Sequence, residues 1–243
     1  MKPPLGKIKG GEPGFPFIYY YYMKQQLLII GLLFIILFNS FMNSSIEPFE
    51  NKDTTIVLLG DSILKNNSYV KPGFAIDDLL RKQLGSNKTI VNYAREDAQI
   101  ADVYKQLTHL YNDNNTFTLF LSVGGNNIIS TYTLTGAVSA DDVKSIFEKY
   151  KNLIDVIKTK LPNSKLFLLN IYHSNDVKYT KLNPMIDIWN QLLNQYFYND
   201  HVSGIVDVKM ALSDPSDLTF KIEPSESGGE KITTKMREVI VSL

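Results

Sequence analysis

After residue 54 the apolar positions follow two recurring patterns. Short unbroken runs of β-formers end at turn residues. Between them lie longer stretches whose apolar residues recur at helical spacing. Ile56 to Leu59 reads as the first strand, Thr89 to Tyr93 as the second and Thr116 to Val123 as the third. Lys165 to Ile171 reads as the fourth strand and Gly204 to Val208 as a short fifth. Phe74, Ile76, Leu79, Leu80 and Leu84 share helical spacing before a stop at Gly85. Ile100 to Tyr111 suits a helix with Val103, Leu107 and Leu110 on one side. Ser139 or Asp141 can cap a long helix that runs to Lys160, and Pro162 lies just past its end. Pro184 to Tyr198 and Gly228 to Val241 complete the helices. Strands separated by helices require right-handed crossovers and a parallel sheet covered on both faces. The predicted fold is α/β: a three-layer α/β/α sandwich with a five-stranded parallel sheet of flavodoxin type.

The first 54 residues break this pattern. Gln25 to Ile46 carries no charged side chain, and Leu27 to Phe38 is almost pure hydrocarbon. A helix needs about 20 apolar residues to span a bilayer, and this segment reaches that length. Phe15, Phe17 and Tyr19 to Tyr22 crowd its N-terminal flank, as interfacial rings do. Lys2, Lys7, Lys9 and Lys24 precede it; Glu47, Glu50 and Asp53 follow. A cleaved leader would need a shorter apolar core and a small-residue cleavage site, for which Ser40, Ser44 and Ser45 are marginal. A buried core helix would show a polar face. The segment therefore reads as a single-pass signal-anchor. The organisation expected is a cytoplasmic tail at 1–24, a transmembrane anchor at 25–46, a linker at 47–54 and one α/β domain at 55–243 on the far side of the membrane.

Composition narrows the function. The chain has 243 residues and a formal net charge of zero, so it carries no basic footprint for nucleic acid. Cysteine is absent, which excludes disulfides, thiolate chemistry and Cys-based zinc sites. No His/Asp/Glu spacing recommends a metal site, and no cofactor is called for.

Three segments fall near the carboxyl ends of predicted strands, the edge where open α/β sheets hold ligands. They are Gly60-Asp61-Ser62, Gly124-Gly125-Asn126-Asn127, and Ile222-Glu223-Pro224-Ser225 before the last helix. Asp207 and the Asp214/Asp217 pair around Pro215 read as caps and turns. Gly228-Gly229 reads as close helix packing, because no P-loop Lys-Ser/Thr pair follows.

With these blocks the chain resembles the SGNH hydrolases, the GDSL esterase/lipase family. That family carries Gly-Asp-Ser after its first strand, Gly-x-Asn-Asp after its third and Asp-x-x-His-Pro before its last helix. The resemblance implies hydrolysis of an acyl ester, of a lipid or an acetylated glycan. It makes Ser62 the nucleophile. The Ser62 backbone N–H and the Asn126 side chain become oxyanion donors, each of a type worth roughly 2.7–4 kcal/mol to the transition state. Gly60, Asp61, Asp97 and Gly124 then shape the site, with Asp61 orienting the turn.

Two departures stand out. Asn92-Tyr93-Ala94-Arg95-Glu96-Asp97 matches the family's Asn-x-Ala-x-x-Gly except that Asp97 replaces a glycine, which keeps the backbone N–H but adds a carboxylate. Asp tolerates a positive φ less well than Gly. Glu223 and Phe220 stand where the family has His and Asp. A free Glu titrates near 4.3 and is a poor base at neutral pH. Three routes stay open: burial raises Glu223; a histidine is recruited, best His173 after the fourth strand rather than His109 or His201; or catalysis is lost and the domain is a silent binding module at a membrane surface.

Overall fold

The computed structural model describes residues 55–85, 88–111, 116–199 and 202–242. The tail, anchor and linker expected at 1–54 lie outside the described residues, as does His201. Among the described residues no helix is long and apolar enough to cross a membrane.

Five parallel strands form the sheet: β1 (Thr55–Gly60), β2 (Ile90–Asn92), β3 (Phe117–Ser122), β4 (Lys165–Leu169) and β5 (Gly204–Val206). Their spatial order is β2-β1-β3-β4-β5, the flavodoxin-like order expected from the sequence. The apolar runs are unbroken because both faces of the sheet are covered. Alternation along β1 divides them. Val57 and Leu59 join Leu119, Leu121, Leu166 and Leu168 in one core, while Ile56 and Leu58 join Phe120, Phe167 and Leu169 in the other.

The first core is closed by α2 (Ile100–Gln106), α4 (Ala140–Lys160) and α5 (Asn183–Phe197), through residues such as Val103, Phe147, Tyr150 and Trp189. The second is closed by α1 (Ile76–Leu84), the short α6 (Val208–Ala211) and α7 (Glu226–Val241), through Ile76, Leu80, Val208, Ile232 and Met236. Ser139 caps α4 as expected. Its Oγ accepts from the Asp142 N–H at 3.1 Å, and Asp142 Oδ2 accepts from the Ser139 N–H at 2.8 Å, a reciprocal box of the kind worth about 1 kcal/mol.

Several elements differ from expectation, and among them the helix expected to Tyr111 ends at Gln106, where a 3₁₀ turn, Leu107–His109, takes over. Gly125–Thr135 is a helix, α3, where the sequence pattern assigns no element between the third strand and Ser139. Its Thr-rich composition hides it: helical propensity is poor and only Ile128 is fully buried. The predicted fifth strand stops at Val206, because Asp207 caps α6 by accepting from the Met210 N–H at 3.0 Å. Finally, β6 (Leu218–Thr219) and β7 (Glu223–Pro224) pair antiparallel as a small hairpin before α7. Two-residue strands leave too little alternation to read. In α7, a Cβ on Gly228 would lie 2.1 Å from the Asp217 carbonyl oxygen, which is the close packing expected there. Asp214 and Asp217 form the turn expected around Pro215, and Asp217 is also fully buried and pairs with Lys231 at 2.7 Å.

Candidate active site

The nucleophile turn is built by crowding against β3. At Gly60 φ is 127°, and a Cβ there would fall 1.7 Å from the Ser122 carbonyl oxygen. Only glycine fits. That carbonyl accepts the Asp61 N–H at 2.9 Å, so β1 ends held to its neighbour. One helical turn follows, with the N–H groups of Leu64 and Lys65 donating to the Asp61 carbonyl at 3.1 and 3.0 Å. The Asp61 carboxyl lies beneath the turn. It accepts from Ser122 Oγ at 3.0 Å and from the Ile63 N–H at 3.2 Å. Burial pushes its pKa up to about 7 despite these two bonds, with a smaller push from Glu223.

A residue the sequence reading missed secures the same turn. Gln106 accepts from the Gly60 N–H at 2.7 Å and donates to the Gly60 carbonyl at 2.8 Å, fully inside the core. Its signal was available: an amide three residues after Val103, on the buried side of α2. Asn190 clamps the Ile171 backbone in the same way after β4, at 2.9 and 2.7 Å.

The amide side is set by the start of α3. Gly124 has φ 124°, and a Cβ there would overlap the Trp189 ring at 2.4 Å. Asn126 follows in the first turn and donates one Nδ2 hydrogen to the Ala98 carbonyl at 3.1 Å. The amide has a second hydrogen to offer. Asn127 ties α3 to the same segment, accepting from the Ile100 N–H at 3.1 Å. Asn92 accepts from the Ala94 N–H at 3.0 Å and donates to the Leu64 carbonyl at 2.8 Å, joining this segment to the nucleophile turn. Asp97 adopts φ 56°. The position keeps the glycine-like conformation although the residue has changed, and the Asp97 side chain is exposed. Among the described residues, the backbone N–H groups of Ser62 and Asp97 donate to no protein acceptor.

Glu223 arrives on the β6–β7 hairpin. Phe220 and Lys221 at its tip both take positive φ, 43° and 80°, a strained conformation for residues with long side chains. Two side chains from the segment after β4 hold the tip. Tyr172 Oη donates to the Ile222 carbonyl, and Ser174 Oγ to the Lys221 carbonyl at 3.0 Å. Phe220 is exposed and packs its ring against Tyr69. Glu223 itself is only 9 % exposed, and its Oε2 is buried without a hydrogen-bond partner. Burial raises its pKa. The neighbouring Ser62 hydroxyl lowers it, and Asp97 and Glu96 raise it further.

One cleft of about 570 Å³, counting its open mouth, brings these parts together. Asp61, Ser62, Asn126 and Glu223 line it, and Ile128, Ile129, Ile171, Leu182, Ile186 and Ile222 supply apolar wall. His173 is not brought to Ser62. Its neighbours Tyr172 and Ser174 face the cleft, while its Nε2 meets Asp187 Oδ1 at 2.8 Å. A strand-like alternation around residue 173 turns it outward. His109 stacks on Tyr93 at 5.0 Å, near the opposite edge of the sheet. Among the described residues no group of three or more His, Asp and Glu is arranged to hold a metal ion.

No protein-family model matches the chain, and no curated protein matches it in sequence. Solved structures do. The chain is similar to a protein described as a GDSL-like lipase from Parabacteroides merdae, at TM-score 0.63 and 17 % identity over 77 % of this chain and 95 % of that one. It is similar to a member of the lipolytic G-D-S-L family from Veillonella parvula, at TM-score 0.63 and 16 % identity over 78 % and 100 %. It is also similar to phospholipase A1 from Streptomyces albidoflavus, at TM-score 0.58 and 14 % identity over 78 % and 99 %. With the strand order and the turn at Ser62, these likenesses give the chain the fold of the GDSL, or SGNH, lipolytic hydrolases.

Proposed function

We propose that this protein is an SGNH-type serine ester hydrolase in which Glu223 replaces the usual histidine base. One observation carries the reading. Ser62, Asn126 and Glu223, distant in sequence, line a single apolar-walled cleft, with the serine hydroxyl beside a buried carboxyl that has an oxygen to spare.

In the proposed reaction the Ser62 hydroxyl gives its proton to the Glu223 carboxylate as its oxygen attacks the ester carbonyl. The oxyanion is held by the N–H groups of Ser62 and Asp97 and by the free Nδ2 hydrogen of Asn126. Collapse breaks the C–O bond, and the departing alcohol takes the proton from Glu223. Water then repeats the sequence on the acyl-serine, with Glu223 again as base, and releases the acid. Burial of Glu223 supports this role, because a carboxylate raised toward neutrality is a better base there. The apolar wall suits the acyl chain of a lipid or the acyl group of an acetylated glycan. Residues 25–46 would hold the enzyme at a bilayer with its α/β domain on the far side.

A fluorophosphonate probe and a short-chain p-nitrophenyl ester test the reading. The full chain should be labelled at Ser62 and should release p-nitrophenol, and Ser62→Ala should abolish both. Absence of labelling and turnover would overturn it and leave a silent binding module. Membrane extraction of the full chain against a 1–54 deletion tests the anchor.

A further inference from the structure

The strap that follows β4, residues 170–175, belongs to no helix or strand. Among the described residues, the backbone of 171–175 exchanges no hydrogen bond with other backbone. Yet this strap carries Tyr172 and Ser174, whose hydroxyls hold the hairpin tip just before Glu223. Its polar groups must find other partners.

Those partners come from α5. Asn183, Asp187 and Asn190 are spaced four and three residues apart, which sets them in one row on one face of the helix. Asn190 takes both polar groups of the Ile171 backbone at 2.9 and 2.7 Å. Asn183 does the same at Ser174: its Oδ1 accepts from the N–H at 3.2 Å and its Nδ2 donates to the carbonyl at 3.1 Å. Between them Asp187 Oδ1 meets His173 Nε2 at 2.8 Å. Lys209 of α6 reaches the same oxygen, and its backbone N–H donates to Asn170 Oδ1 at 2.9 Å. The strap is thus gripped at both ends and in the middle. Asn190 is buried in the core, but Asn183 is half-buried and Asp187 is exposed, where such polar contacts add little to folding. Neither Asn183 nor Asp187 lines the cleft, and the proposed ester cleavage uses neither.

We infer that Asn183 and Asp187 are positioning residues for Glu223: they fix the strap at Ser174 and His173, the strap's hydroxyls fix the hairpin tip, and the tip sets the carboxyl against Ser62. His173 serves the site from outside, as the point where α5 holds the strap. The consequence for rate rests on the ester-hydrolase reading. The consequence for the placement of Glu223 does not need turnover.

The test uses the full chain in neutral detergent, with Asn183→Ala, Asp187→Ala, Asp187→Asn and His173→Ala. Each is read for kcat and KM on a short-chain p-nitrophenyl ester and for its urea midpoint. Each is also read for the Glu223 titration, followed by the carboxyl resonances of isotope-labelled glutamate and identified by the signal lost in Glu223→Gln. A misplacement of about 1 Å at a reacting group can cost roughly 100-fold, so a partial release should lower kcat about tenfold in both alanine variants of α5, with KM nearly constant. Asp187→Asn keeps an oxygen for His173 and should recover most of the rate. His173→Ala should match Asp187→Ala, and the two combined should lose no more than either alone. Urea midpoints should move little. Burial holds the Glu223 pKa up, so a carboxyl released toward water should titrate lower, nearer an ordinary glutamate. A lowered titration in the variants of a protein without turnover would sink the esterase reading and leave the positioning role standing. A titration unmoved in both alanine variants would overturn the inference whatever the rate does, and so would an unchanged kcat in an active enzyme.

Discussion

The two sides of the Ser62 cleft are built by different means. On one side the nucleophile turn is locked into the sheet: Gly60 touches the β3 backbone, Gln106 takes both of its polar groups, and Asn92 joins the turn to the segment that leads to Asp97. On the other side Glu223 rides a hairpin of two-residue strands with a strained tip, held by two hydroxyls. The nucleophile is placed by buried backbone contacts, and the carboxyl by a few side-chain bonds. Changes on the first side should therefore act mainly on stability, and changes on the second mainly on rate.

The most severe test of that division is Glu223→Gln. The amide keeps the shape of the buried group and fills the same space, so folding should be nearly unchanged. General-base catalysis is worth roughly 10²–10⁴-fold, and turnover should drop by that factor. In the wild type kcat/KM should climb with pH, because Glu223 accepts a proton only when ionised. Its raised pKa moves that climb to higher pH than an ordinary glutamate would give. A flat profile in the wild type, or a Gln variant of full activity, would break the comparison.

Asp61 gives the next largest effect, on stability. Unfolded, it titrates near 3.8; folded, burial raises it to about 7. The folded value is the higher one, so its contribution is complete below pH ~4 and is lost as pH rises through ~7, on the order of 4 kcal/mol at full extent. Part of this belongs to the pair with Glu223, since the two charges interact. Urea midpoints of wild type and Asp61→Asn, compared from about pH 4 to about pH 8, should converge or cross as pH rises. A gap that stays constant would show that Asp61 is not held uncharged by burial.

Gln106→Ala acts on the same side. It strips both partners from the Gly60 backbone in the core, and an unsatisfied buried group costs about 1–3 kcal/mol. The expected loss is about 2–4 kcal/mol, read from the urea midpoint, with activity per folded molecule far less affected. Loss of activity without loss of stability would show that the lock is not structural.

The contrast also explains what could be read in the chain. The five strands, the long α4 and its Ser139 cap follow from local patterns in the sequence, because periodicity and capping are local physics; the strand order comes only with the α/β architecture those alternating elements imply. Ser62, Asn126 and Glu223 were legible as neighbours only because each follows a strand or precedes a helix in an architecture that puts those ends on one rim. Three things were hidden. The start of α3 was masked by Thr and Asn, which favour turns on propensity alone. The outward turn of His173 depends on a one-residue alternation after β4 that no composition records. The β6–β7 hairpin is set by Tyr172 and Ser174, some fifty residues upstream by the hydrogen bond from Tyr172 to Ile222, and long-range bonds leave no local trace.

Tyr172→Phe sharpens the hairpin side with the smallest change. It removes one oxygen and leaves the buried ring in place, so the core around it stays filled. What is lost is the bond to the Ile222 carbonyl, worth about 1 kcal/mol net. The urea midpoint should move little. Because Ile222 precedes Glu223, a freer carbonyl lets the carboxyl drift from Ser62, and a misplacement of about 1 Å at a reacting group can cost roughly 100-fold. A partial drift should lower kcat about tenfold with KM nearly constant, because the apolar wall that seats the acyl group is intact. Ser174→Ala, on the neighbouring carbonyl, should act in the same direction, and the two together should lose more than either alone. Equal loss of kcat and stability in Tyr172→Phe would mean that the hydroxyl supports the core and not the placement of Glu223.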